Sequence, residues 1–157
     1  MENLRVDYNL FGKYISEIYR FSNSFLTKKY AKFNIGSGQI MFMINIYKNE
    51  GISQEKLSEM LNIDKGTTAR AIKKLEDQGY VIRLKDRKDR RAYNIMPTYK
   101  ALQIKKEFFN ILNEWNKKIT ENLTEEEVSI TLSALEKISE NQKNKGEDLI
   151  KWIDKQD

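Results

Sequence analysis

Two residue types are missing from the chain altogether: among its 157 residues there is no cysteine and no histidine. Without cysteine there are no disulfides, no thiolate metal sites and no thiol-based redox sensing. Without histidine the commonest metal ligand and the commonest general base are gone. Only carboxylates or carbonyls are left to hold a metal, and no metal or cofactor is expected. The sole proline is Pro97 and glycines number seven, so most of the chain is free to run as helix. No apolar run reaches membrane-spanning length, and the opening MENLRVDYNLF lacks a basic-then-apolar signal pattern. The expectation is a cytoplasmic protein with no membrane partner.

What is present is positive charge, unevenly spread. The net charge is +5, and residues 51–100 carry twelve Lys/Arg against seven Asp/Glu, whereas residues 101–157 carry nine against twelve. Residues 1–50 carry seven against four, so the basic excess is largest in the middle third, the footprint expected of a polyanion partner. Charge alone fits a solvated lysine-rich surface equally well, so the motifs have to decide.

Apolar residues recur at helical spacing from Tyr8 to Tyr30, through Leu10, Phe11, Tyr14, Ile15, Ile18, Tyr19, Phe25 and Leu26. Gly36-Ser37-Gly38 interrupts the pattern, and Ser37 is placed to cap a second helix carrying Ile40, Met41, Ile44 and Tyr47. Asn49-Glu50-Gly51 reads as a turn. Two short helices are predicted next, Ser53 to Leu61 and Asp64 to Gln78, with Gly79 as a C-terminal cap. The period then switches towards two. Tyr80, Ile82 and Leu84 alternate with Val81, Arg83 and Lys85, and beyond a charged tip Tyr93 and Ile95 alternate with Ala92, Asn94 and Met96. That is a hairpin. A long helix follows from Leu102 to Ile119, then a capping box at Thr124-Glu125-Glu126-Glu127 opens another through Val128, Leu132, Leu135 and Ile138. The tail ending in Leu149, Ile150, Trp152 and Ile153 suggests one more short helix.

The segment Ser53–Gly79 has the form of a helix-turn-helix. Leu57, Leu61, Ile63, Thr68, Ile72 and Leu75 make one apolar seam that holds its two helices together. Asp64 sits where its carboxylate can accept from the free amides of the second helix. The remaining faces of that helix present Lys65, Gly66, Thr67, Ala69, Arg70, Lys73 and Lys74. Small residues near its start let the backbone approach base edges and phosphates; Arg70 suits guanine, and Lys73 and Lys74 suit phosphate. Taken alone, this is also the pattern of an amphipathic helix with a solvated basic face. The hairpin tip that follows, Asp86-Arg87-Lys88-Asp89-Arg90-Arg91, favours nucleic acid, because a wing beside such a helix meets the adjacent minor groove. Its aspartates fit as partners that fix arginine geometry.

On these residues the chain resembles the MarR family of bacterial and archaeal regulators. The resemblance is carried by LSEMLNIDKGTTARAIKKLEDQGYVIR (57–83), the wing DRKDRRAYNIMPT (86–98) and the LTEEE start at Leu123. It implies a mainly α fold with a small β-hairpin, a single domain over 1–157. A winged helix-turn-helix core at about 37–98 is then flanked by dimerisation helices at about 6–31 and 98–153. It further implies that Arg91 enters the minor groove with Asp89 orienting it, that Arg87, Lys88 and Arg90 support the wing contact, and that Thr67 and Arg70 lie at DNA-contacting positions. The implied partners are double-stranded DNA, a second copy of the chain and a small, often aromatic, effector whose binding residues the sequence does not name. Three positions depart from the pattern: Ala69 replaces a hydroxyl residue, Pro97 a leucine, and Ala101 a glycine. The missing cysteine separates the chain from the peroxide-sensing branch in mechanism, and the missing histidine from the zinc-sensing one.

Two rival classes fit less well. For an enzyme, the obvious carboxylates are Glu125-Glu126-Glu127, which capping and the helix dipole explain; no nucleophile–base pair or phosphate loop accompanies them. For a winged-helix module binding protein or RNA, the aromatic sheet platform typical of single-stranded RNA readers is replaced here by a basic wing.

Overall fold

The computed structural model describes residues 7, 9–85 and 93–153, and side chains as far as residue 141. Its helices are α1 (Asn9–Tyr30), α2 (Ser37–Lys48), α3 (Gln54–Leu61), α4 (Lys65–Asp77), α5 (Tyr99–Ile119) and α6 (Glu125–Ile153), with a 3-10 turn at Ala31–Phe33. Three strands, β1 (Ile52–Ser53), β2 (Val81–Lys85) and β3 (Tyr93–Pro97), form an antiparallel sheet in the order β1-β3-β2. The fold is mainly α with a small sheet, as the sequence suggested. The chain divides into two compact units, Met1–Trp115 and Asn116–Asp157.

Left-handed residues end the helices where the chain must turn. Gly79 follows α4 at φ +76°; its N–H reaches Glu76 O at 2.9 Å, and the Tyr80 N–H reaches Leu75 O at 2.9 Å. This paired closure satisfies carbonyls that the helix end leaves free. Asn62 does the same for α3 at φ +50°, with the Ile63 N–H on Ser58 O. The turn between α3 and α4 is therefore only a few residues long and its geometry is fixed by backbone bonds.

Unit one has a single core. Tyr30, Phe42, Met43, Ile46, Leu57, Ile72, Leu75, Ile95 and Phe108 are all essentially sealed from solvent. Three tyrosines bury their rings in it while their hydroxyls bind backbone carbonyls of other elements. Tyr30 donates to Phe108 O at 2.8 Å, Tyr47 to Ala101 O at 2.6 Å and Tyr80 to Phe33 O at 2.7 Å. The Tyr30 and Phe108 rings lie 4.6 Å apart, and Phe25 packs on Trp115 at 5.4 Å. These struts join α1 and α2 to α5, and the end of α4 to the 3-10 turn. Thr98 closes the sheet onto α5: its hydroxyl donates to Gly79 O at 2.7 Å and accepts from the Ala101 N–H at 3.3 Å.

Four details differ from the sequence reading or add to it. The cap of α2 is Gly36 rather than Ser37: its carbonyl accepts from the Gln39 N–H, and the Gln39 side chain reaches back to the Gly36 N–H at 2.9 Å. A third strand, β1, pairs Ile52 with Ile95 and Ser53 with Asn94; at two residues it is too short to show a period. The wing strand also shows which of its two faces meets the core, which the alternation left open. Ile82 and Leu84 stay about half exposed, whereas Val81 is buried and Arg83 partly so. The register pairs Val81 with Pro97 and Arg83 with Ile95, so these share the inner face with the fully buried Ile95. Finally, the tail is not a separate short helix but the continuation of α6. The polar stretch 141–148 contains no proline, and one glycine inside a helix costs only about 1 kcal/mol.

In unit two, α6 opens on the reciprocal cap expected from Thr124 and Glu127. The Thr124 N–H donates to Glu127 Oε2 at 2.8 Å, and the Glu127 N–H donates to Thr124 Oγ1 at 3.2 Å. No helix among the described residues is long and apolar enough to cross a membrane.

Candidate nucleic-acid interface

Helix α4 is split lengthwise by its sequence. Thr68, Ile72 and Leu75 lie on the buried stripe and pack with Leu57 of α3. Leu61 and Ile63 close the seam from its edge, partly buried. The opposite stripe carries Lys65, Gly66, Arg70, Lys73 and Lys74, all exposed, with Thr67 and Ala69 half-buried between. Every recognition-helix residue singled out from sequence thus falls on the outward side of one helix. Arg87, Lys88, Asp89, Arg90 and Arg91 lie outside the described residues.

The first turn of α4 is held by its own side chains. Asp64 Oδ1 accepts from the Thr67 N–H at 2.8 Å, the cap expected from sequence. Hydrogen bonds from the Thr67 side chain, then from its backbone, hold the Asp64 carboxyl below its ordinary range. Arg70 Nη2 donates to Thr67 Oγ1 at 2.7 Å. A Cβ at Gly66 would stand 3.2 Å from Asp64 Oδ1 and 3.6 Å from Arg70 Nη1. The missing side chain therefore leaves room for the guanidinium to lie over bare backbone. Thr67 emerges as the residue that sets the direction of Arg70.

Other cations on this face are tethered. Lys65 donates to Glu55 of α3 at 2.6 Å, and Lys73 to Asp77 at 2.5 Å; each pairing raises the lysine's pKa and the first lowers that of Glu55. All four groups are largely exposed, so these pairs orient side chains more than they stabilise the fold. Arg83, on β2, adds a cation that sequence reasoning passed over; its Nε lies 3.4 Å from Glu76 Oε2 of α4. The signal was its position in an alternating strand directly after a helix-turn-helix, but alternation alone does not say which face turns towards α4. Among the described residues no cluster of Asp and Glu is placed to hold a metal.

A solvated face of lysines and arginines attracts polyanions in general. Its placement along the outer side of the second helix of a helix-turn-helix, beside a hairpin, is what shapes it for a groove. Comparison with known proteins agrees with this geometry. Residues 35–93 match the model of the MarR family. A MarR transcriptional regulator from Methanosarcina mazei Go1 is 41% identical, with 87% of this chain and 98% of that one covered and a TM-score of 0.78. The HTH-type regulator YybA of Bacillus subtilis is 38% identical over 90 residues, which span 57% of this chain and 60% of that protein's length. A MarR-family regulator from Listeria monocytogenes, determined in complex with a 26mer DNA, is 31% identical with a TM-score of 0.78, covering 83% of this chain and 87% of its own. The buried seam, the capped recognition helix, the wing strands and this similarity converge: the chain belongs to the MarR family of transcriptional regulators, DNA-binding proteins rather than enzymes.

Proposed function

We propose that the protein is a homodimeric repressor that reads a pseudo-palindromic operator and leaves it when a small molecule binds. Each protomer lays α4 in a major groove, with Arg70 on base edges and Lys73 and Lys74 on phosphate, while the wing residues Arg87, Lys88, Arg90 and Arg91, with Asp89 orienting Arg91, occupy the flanking minor groove. Single domain organisation over 1–157 belongs to the same proposal, with the helices about 6–31 and 98–153 forming the dimer. The observation that carries the reading is the outward stripe of α4, where exposed cations and small residues lie together and Arg70 is held by Thr67.

Dimerisation is supported by apolar side chains left exposed to solvent. On α1, Phe11, Tyr14, Ile18, Tyr19 and Phe21 are exposed; on α6, Ile130, Leu132 and Leu135 are. Exposed large apolar side chains in such numbers on a helix mark an interface, and a two-fold pair of recognition helices matches a two-fold site about one DNA turn between half-sites. Effector release is supported by a cavity of about 270 Å³ bordered by α1, α2 and α5, with Tyr19, Asn23, Leu26, Ser37, Ile44 and Leu112 among its walls. Gln39, in the first turn of α2 beside this cavity, is buried and donates to Gln78 Oε1 at 2.7 Å, at the end of α4. Gln78 in turn donates to Asn34 O. Ligand pressure on the start of α2 thereby has a packed route to the recognition helix.

Selection from duplexes with a randomised core, followed by sedimentation of the bound species, tests the reading. It predicts enrichment of an imperfect palindrome occupied by one dimer. Enrichment of no sequence, or occupancy by a monomer on a single half-site, contradicts it.

A further inference from the structure

The connection between α1 and α2 is tied to the end of α4 by a short chain of polar bonds. Phe33 O accepts from the Tyr80 hydroxyl at 2.7 Å, and Asn34 O accepts from Gln78 Nε2. The Gly36 N–H donates to Gln39 Oε1 at 2.9 Å, and Gln39 Nε2 donates to Gln78 Oε1 at 2.7 Å. The direction of each amide bond is forced. A backbone N–H can only donate, so it takes the oxygen of Gln39; the Gln39 nitrogen then needs the oxygen of Gln78, and the Gln78 nitrogen needs a carbonyl. Neither amide can turn over without losing two bonds, and Gln39 is only 3% exposed, which leaves little water to replace them. From the other side Lys100 Nζ of α5 donates to Gln78 O at 2.6 Å. The polar contacts in the first turn of α4 are exposed by contrast: Asp64 caps it, and Lys65 meets Glu55 of α3.

We propose that Gln78 is a positioning residue that sets the tilt of the recognition helix, and through it the half-site spacing that the dimer accepts. The proposal rests on the reading of the protein as a homodimer on a two-fold operator. Packing along Thr68, Ile72 and Leu75 holds α4 against the core but is non-directional, so its angle falls to the directional bonds at Gln78. Helix α4 has 13 residues, a length of about 20 Å. A tilt of about 10° around its C-terminal end moves its start by about 3.4 Å, the rise of one base pair. Gln78 acts without touching DNA. A duplex whose half-sites are wrongly separated is accommodated by tilting α4, which breaks the bonds of Gln78 to Gln39 and Asn34. Those two bonds together are worth about tenfold or more in an equilibrium.

The test uses the full-length protein and a duplex obtained by selection, beside two versions with one base pair added or removed between the half-sites. Gln78→Met keeps the length and the helix propensity of the side chain and deletes both bonds. The wild type is expected to prefer the selected spacing, and in Gln78→Met the ratio of affinities between selected and altered spacings is expected to fall about tenfold. A purely structural role lowers binding to all three duplexes by one common factor. Gln78→Glu still accepts from Gln39 but sets a carboxylate oxygen against Asn34 O, and it is expected to lose the preference as well. If Gln78→Met does not fold, Gln78→Glu decides on the same ratio. A ratio equal to that of the wild type in a folded variant, with or without a common loss of affinity, overturns the role of Gln78 alone. A wild type that ignores spacing, or that binds as a monomer, overturns the dimer reading, and the role of Gln78 falls with it.

Discussion

At the scale of single residues, the site is governed by which side chain holds which. In the proposed function Arg70 is the reading residue, and Thr67 acts on DNA through it. The hydroxyl of Thr67 accepts from Arg70 at 2.7 Å, so removing it frees a long side chain to sample rotamers away from the base edge. Thr67→Val is therefore expected to lower discrimination between the operator and a variant with one guanine per half-site replaced, while Thr67→Ser retains it. Competition binding with the two duplexes checks this. Combining Thr67→Val with Arg70→Ala should cost little beyond Arg70→Ala alone; additive losses would mean that Thr67 touches DNA independently. Most of this was legible in the sequence: the cap at Asp64 and the outward positions from Lys65 to Lys74 follow from helical spacing. The bond between Thr67 and Arg70 was not. An i,i+3 spacing permits that bond, but only the rotamers decide it. Arg83 escaped for a different reason. A strand period of two says which residues share a face, not which face meets the core, and here the choice of Val81 over Ile82 is made by helices packed behind the sheet.

At the scale of elements, backbone geometry and buried polar contacts place the recognition helix. Asp64 caps α4, and its carboxyl titrates below the ordinary aspartate range because it accepts from Thr67. The sign follows: with the folded pKa lowered, the cap's contribution is complete above the unfolded value of about 3.9 and is lost as pH falls through the lower folded value. Asp64→Asn caps without titrating. Between about pH 5 and pH 3 its melting temperature should fall less than that of the wild type; identical acid slopes would show that the cap does not titrate with folding. Farther in, burial first and the neighbouring Tyr47 second push the Tyr30 phenol well above its usual range. Its hydroxyl donates to Phe108 O, joining the end of α1 to α5. Tyr30→Phe keeps the ring and deletes this bond, so unfolding in urea should show a loss of about 1 kcal/mol with the cooperativity unchanged. No loss would mean that aromatic packing alone fixes the junction. Element order was readable because each helix carries both a period and a stop signal, as Gly79 does for α4. What was not readable lay below the length at which a period exists, as in β1, or depended on whether a polar stretch without proline continues a helix, as it does through residues 141–148 of α6.

At the scale of the whole molecule, apolar surface and charge divide the labour. The middle of the chain carries the largest basic excess, and exposed aromatic and aliphatic side chains lie on α1 and α6. In the proposed homodimer, a symmetric pair built through the ends would present two basic α4 stripes to one duplex, converting weak single-helix binding into sequence-specific binding. The measurement that tests this most directly is fluorescence anisotropy of the protein on a selected duplex and a scrambled one, at about 0.15 M salt where non-specific binding is weak, repeated with Arg70→Ala. The account predicts a wild-type preference for the selected duplex of about a thousandfold or more. It further predicts that Arg70→Ala loses roughly tenfold or more of that preference and keeps the weak binding common to both duplexes. Equal wild-type affinity for the two duplexes, or an Arg70→Ala protein that discriminates as well as the wild type, would contradict it.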